Sequence, residues 1–113
     1  MSGRVTSAVM VSALVRRVHQ EGGSAAVLAK GDPTAGGILL LAVERGANPR
    51  FFERGIGPSG APALVPAGPV AMTDEAEVLA YWRRRRSYDS DLWVVELDIA
   101  GAERFAAETM AIN

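Results

Sequence analysis

Cysteine is absent from the 113 residues. That removes disulfides, thiolate metal ligands, iron–sulfur clusters and cysteine nucleophiles together. Histidine occurs once, as His19, which excludes a metal site built on several imidazoles. Lysine also occurs once, as Lys30, so arginine carries nearly all the positive charge. An excess of either sign is missing too: 12 basic residues face 13 acidic ones, for a net charge of −1. The chain as a whole is therefore not drawn to nucleic acid or to an acidic membrane, and any such partner must be met by a local patch. No apolar run approaches the roughly 18 residues that a spanning helix requires. The opening MSGRVTSAVMVSALVRR is a poor secretion signal. Thr6, Ser7 and Ser12 interrupt its apolar stretch, and no small-residue cleavage site follows Arg16 and Arg17. These absences point to a cytoplasmic protein with no membrane contact.

What remains is an ordinary globular composition. Hydrophobic residues make up 49% and charged residues 22%, too apolar for disorder at this low net charge. The length suits one domain over residues 1–113 with a single core. Arginine in place of lysine, with much alanine and glycine, suggests a bacterial chain from a GC-rich genome.

Periodicity supplies the elements. Ser7 opens a helix whose Ala8, Val11, Leu14, Val15 and Val18 share one face, and Gly22 and Gly23 end it. Residues 25–30 and 37–44 read as strands. The second is apolar through its middle, as a strand covered on both faces should be. GDPTAGG between them favours a reversal, which predicts an antiparallel hairpin. A turn at residues 46–49 leads to a third strand at 50–54, with Phe51 and Phe52 on opposite faces. Residues 55–69 are rich in glycine and proline and read as a long surface loop, because proline lacks a donor and fixes φ. Asp74 caps a second helix with buried Val78, Leu79 and Trp82, ending near Ser87. In residues 92–99, Trp93, Val95, Leu97 and Ile99 share one strand face, and Val94, Glu96 and Asp98 the other. A short helical turn over 102–108 follows. The predicted fold is α+β: a mainly antiparallel sheet of four strands packed by two helices, in the order α-β-β-β-α-β.

One stretch stands out: YWRRRRSYDSD, with Arg83, Arg84, Arg85, Arg86, Tyr88, Asp89 and Asp91 as a candidate interaction patch. Four consecutive helical residues fan around most of a turn, so the arginines cannot all face one ligand. At a helix C-terminus they also oppose the negative end of the dipole, and their stems can cover apolar surface. A helix stop is the plain reading. A phosphate or nucleic-acid patch, with Tyr81, Trp82 or Tyr88 stacking on bases, is the sharper one. Arginine, tyrosine and tryptophan also suit a protein partner.

Other motifs fail on physical grounds. Gly55, Gly57 and Gly60 have dinucleotide-loop spacing, but Pro58, Pro62 and Pro66 stand where the helix should run. GDPTAGG lacks the lysine and hydroxyl of a phosphate loop, and its Asp32 suits a bond to its own backbone. Asp89 and Asp91 open like a calcium loop, yet Val94 and Ala100 occupy the positions that need glycine and glutamate. No catalytic, cofactor or metal residues are assigned. Glu96 and Asp98, with His19, are the residues a small enzyme would have to use.

VSALVRR, GDPTAGGILL and DEAEVLAYWRRRRSYDSDLWVVELD resemble the alphaproteobacterial domain of unknown function 1491 family over almost the whole chain. In that family a proline commonly stands at the position of Ser90 and an aromatic at that of Met10. The resemblance implies a bacterial, cytoplasmic, single-domain protein and carries no catalytic residues with it. The functional expectation is a non-enzymatic interaction or accessory domain, as a homodimer or with a protein partner. The alternatives are a nucleic-acid or phosphate binder using Arg83 to Arg86 with Arg16 and Arg17, and a small enzyme.

Overall fold

A computed structural model describes residues 5–70 and 72–111. The first residues of the leader segment considered above therefore lie outside it. The elements run α1 (Ser7–Gln20), β1 (Ser24–Ala29), β2 (Ile38–Glu44), β3 (Ala47–Ile56), β4 (Pro62–Ala67), α2 (Glu75–Tyr88), β5 (Trp93–Asp98) and α3 (Ala102–Ala111). No described helix is long and apolar enough to cross a membrane.

The class is α+β, but the sheet has five strands and is mixed, in the order β1-β5-β2-β3-β4. Two expectations fail here. GDPTAGG does not close a hairpin: β5 lies between β1 and β2, antiparallel to the first and parallel to the second. The turn chemistry did reverse the chain, yet adjacency was taken by a strand from the other end of the sequence. The 55–69 segment is not all loop. Residues 62–67 form the edge strand β4 against β3, and only the tip is a turn, closed by Gly57 N donating to Ala61 O at 2.8 Å. Pro62 and Pro66 share one strand parity, so both missing donors fall on the free edge, where a ladder tolerates proline.

The β2–β3 hairpin also turns earlier than the sequence suggests. Glu44 pairs with Ala47, leaving Arg45 and Gly46 as a two-residue loop with φ of 52° and 74°. Positive φ at both positions is the twist a tight hairpin needs.

Burial follows the strand period. Leu40, Ala42, Trp93, Val95 and Leu97 face α1 and α3, where Leu14 and Val18 meet them. Leu39, Leu41, Val43, Phe51 and Val94 face α2. Phe51 and Phe52 do point to opposite faces, and β2 is covered on both. The helix cap moves by one residue. Thr6 Oγ1 accepts from Val9 N, while Ser7 is buried and its hydroxyl donates to Gly36 O at 2.5 Å.

The two faces are covered unequally. α1 lies close on β1 and β5, and α3 close on β4, but α2 approaches no strand as nearly. Val78 is the only fully buried residue of α2. Its predicted partners in the stripe, Leu79 and Trp82, stay half-exposed.

Candidate functional site

The arginine run divides as the helical fan requires. Arg83 and Arg84 are exposed, and Arg83 reaches only the ring of Trp82, 5.9 Å from its centroid. Arg84 lends its carbonyl to the Ser87 hydroxyl. Arg85 turns inward over β3 and donates to both carboxylate oxygens of Glu53, at 2.7 and 3.1 Å, and to Tyr81 OH at 3.0 Å. The Glu53 carboxylate raises its already high pKa further, against the opposing effect of burial. Arg86 donates to three backbone carbonyls: Leu92 at 3.0 Å, Lys30 at 2.9 Å and Ser90 at 2.8 Å. Two of the four arginines are thus structural.

The rest of the predicted patch belongs to the same joint. Asp89 caps α2, and its carboxylate accepts from Asp91 N at 3.1 Å. The Asp91 carbonyl accepts from Asp32 N at 2.9 Å, and Trp93 Nε1 donates to Asp32 O at 2.8 Å. Asp32 bonds its own turn as expected, through Thr34 N and Ala35 N. Two glycines make the closure possible. A Cβ on Gly31 or Gly36 would stand 2.0 or 2.1 Å from the Asp91 oxygen. The β1–β2 connection is thereby clasped to the α2–β5 turn. The start of α1 joins in, with Ser7 N and Ala8 N donating to Thr34 O and Pro33 O. Tyr88 stands far into solvent, 85% exposed.

The concave site lies elsewhere on α2. Where the helix stands off the sheet, an open cleft of about 770 Å³ is lined by Leu41 and Val43 of β2, Leu28 of β1, and Met72, Val78, Leu79 and Trp82. The β2–β3 turn and Val70 form its rim, and Val70 is fully exposed. That volume is in the range of small-molecule sites, which are concave, mainly apolar and provided with few polar groups. The charged side chains on its wall are Glu75 and Glu96. Burial first, then the charges of Asp98 and Glu75, hold the Glu96 carboxyl above the usual glutamate range. Among the described half-buried acids, Asp32 and Asp98 accept from backbone amides, and Glu53 and Glu103 pair with Arg85 and Arg50. Glu96 has neither kind of partner.

The other candidates do not assemble. Asp98 accepts from Arg45 N at 2.6 Å and Gly46 N at 3.0 Å and so holds the hairpin turn. His19 sits on α1, across the sheet from Glu96, and its Nε2 accepts from Ala25 N. Arg17 pairs with Glu108 and lies 5.0 Å from the Phe105 ring on that same far face, so Arg16 and Arg17 do not join the α2 arginines. Among the described residues no group of acids and histidine could hold a metal ion. The sequence reading missed the cleft. Its one visible signal was a lone glutamate among apolar residues in WVVELD, beside a helix whose apolar stripe is short.

A family model described as "Protein of unknown function (DUF1491)" matches residues 5–107. The search of curated proteins gave no match. Among solved structures, the chain is similar to the crystal structure of a DUF1491 family protein from Caulobacter crescentus CB15. Identity is 33%, the TM-score is 0.75, and 90% of this chain and 94% of that one are covered. An NMR structure of a DUF1491 family protein from the same organism gives 33% identity and a TM-score of 0.73, covering 92% and 94%. The solution structure of protein Atu0922 from A. tumefaciens gives 32% identity and a TM-score of 0.66, covering 86% and 87%.

Proposed function

We propose that this chain, which belongs to the DUF1491 family of proteins of unknown function, is a non-enzymatic binding protein that takes a small organic molecule in the cleft beneath α2. The observation that carries this is the cleft itself. A helix with one fully buried side chain leaves Leu79 and Trp82 half-exposed over an apolar sheet face. Such a face is stabilised by whatever covers it, at roughly 25 cal/mol for each Å² of apolar surface removed from water. Binding is favoured over catalysis because neither His19 nor Asp98 lines the wall beside Glu96. The reading keeps the accessory role expected from the sequence and moves it from the arginine run to the cleft. An alphaproteobacterial cytoplasm is the setting it assumes, in keeping with the relatives from C. crescentus and A. tumefaciens.

The test is amide NMR with a set of small apolar fragments. Shifts should gather at Leu28, Val78, Leu79 and the Trp82 indole. Shifts gathered at Arg84, Tyr88 and Asp91, or none at millimolar fragment, would remove the proposal.

A further inference from the structure

We infer that the cleft selects organic cations, its ligand being a small molecule with an apolar body and a protonated amine set between Glu96 and Glu75. The inference rests on the binding role proposed above and adds the chemistry of the ligand. Three features of the wall carry it. Leu41, Val43, Val78 and Leu79 make most of the wall apolar, which suits an apolar ligand body. The charges on the wall are the two carboxylates, one from β5 and one from the first turn of α2, and no lysine or arginine lines it. Neither carboxylate has a hydrogen bond or ion pair with another described side chain. An anion would meet like charge on the wall, and a neutral ligand without a donor would leave Glu96 half-buried without a partner, which costs free energy.

Trp82 adds a third attraction. Its indole lines the cleft, and the Arg83 guanidinium already lies over the ring. An indole face attracts cations through its quadrupole. Trp82 lines the same cleft as Glu75 and Glu96.

The charges around Glu96 also fix how binding depends on pH. Asp98 on its own strand and Glu75 on α2 are the acids that act on it, while its register partners Ala26 on β1 and Leu41 on β2 are uncharged. A bound ammonium favours the ionised carboxyl. Amine affinity therefore rises as pH climbs through the Glu96 titration, and binding below it releases a proton to solvent.

The test compares hexylamine, hexanol and hexanoate, three probes with one apolar body and different heads, by amide NMR at neutral pH. Hexylamine should bind about tenfold more tightly than hexanol, as expected for an ion pair in a partly solvated cleft, and hexanoate more weakly than either. Glu96→Gln should remove most of the preference for hexylamine over hexanol, and Glu75→Gln should give a smaller loss. The amide spectrum of each variant reports whether it is folded. Equal binding of hexylamine and hexanol at the cleft would overturn the cation preference and leave the binding role standing. Absence of all three from the cleft would overturn both.

Discussion

Replacing the four arginines one at a time by alanine should separate the structural ones from the rest. Arg86 has the most to lose. Its guanidinium makes three hydrogen bonds of 2.8–3.0 Å to the carbonyls of Leu92, Lys30 and Ser90. A hydrogen bond to a charged group contributes about 1.5–3 kcal/mol when shielded from water. Two of these bonds lie at exposed positions, and their carbonyls regain water when the side chain is removed. The expected loss for Arg86→Ala is therefore about 1.5–2.5 kcal/mol in total, rather than the full sum. At about 4 °C per kcal/mol for a domain of this size, the melting midpoint should fall by about 6–10 °C. Arg85→Ala breaks a two-pronged bond to Glu53 with both side chains about a third exposed, and should cost about 1 kcal/mol. Arg83→Ala and Arg84→Ala should stay within about 0.5 kcal/mol of the parent. Urea unfolding with a shared slope is the assay, since a changed midpoint at constant slope reports stability alone. Four equal effects, or a larger loss at Arg84 than at Arg86, would refute the assignment.

Gly36→Ala places a Cβ 2.1 Å from the Asp91 carbonyl oxygen, with backbone on both sides. It should destabilise by about 3 kcal/mol or more in urea unfolding, through overpacking and loss of the Asp32–Asp91 bond, whereas Gly46→Ala meets no neighbour and pays only for its positive φ. Two acids should show opposite pH signs. Glu96, with its carboxyl raised, opposes folding when ionised, so Glu96→Gln should gain stability at neutral pH and lose that gain below about pH 4. Glu103 is lowered mainly by its hydrogen bond from Arg50, so its contribution is full above the ordinary glutamate range and is lost as pH falls through its depressed value. Glu103→Gln should accordingly be destabilising at neutral pH and silent in acid, as thermal melts across pH would report. Nucleic-acid binding at the α2 end has Arg83 and Arg84 to use, with exposed Lys30 on the adjoining β1–β2 connection. Its log–log salt slope should be no steeper than about −3, and a slope beyond about −4 would restore the whole run as a phosphate site.

Much of the fold was legible because one side chain in two, or one in three to four, reports its burial. The α1 stripe, the two-sided burial of β2, the split of Phe51 and Phe52 and the faces of β5 all follow from period alone. Pairing was less legible. Turn residues report that a chain reverses, but which strand then lies alongside is settled by tertiary packing, and so β5 entered between β1 and β2. β4 was hidden because proline excludes a central strand but not an edge. The structural share of the candidate patch was hidden for a related reason. Arg85 and Arg86 find acceptors on β3 and on the β1–β2 connection, both distant in sequence. The cleft was invisible because it is a space: it exists where α2 stands off the sheet, and no single segment encodes that distance.

The central claim is that the ligand surface is the cleft and that Arg85 and Arg86 of the arginine run are structural clasps. Fluorine NMR of protein labelled with fluorotryptophan tests it most directly. The protein has two tryptophans, with Trp82 on the cleft wall and Trp93 buried on the opposite face of the sheet. Trp82→Phe assigns the two resonances. Saturating hexylamine should move the Trp82 resonance and leave that of Trp93 in place. A ligand-induced shift at neither, while backbone amides at Tyr88 and Arg84 respond, would contradict the account.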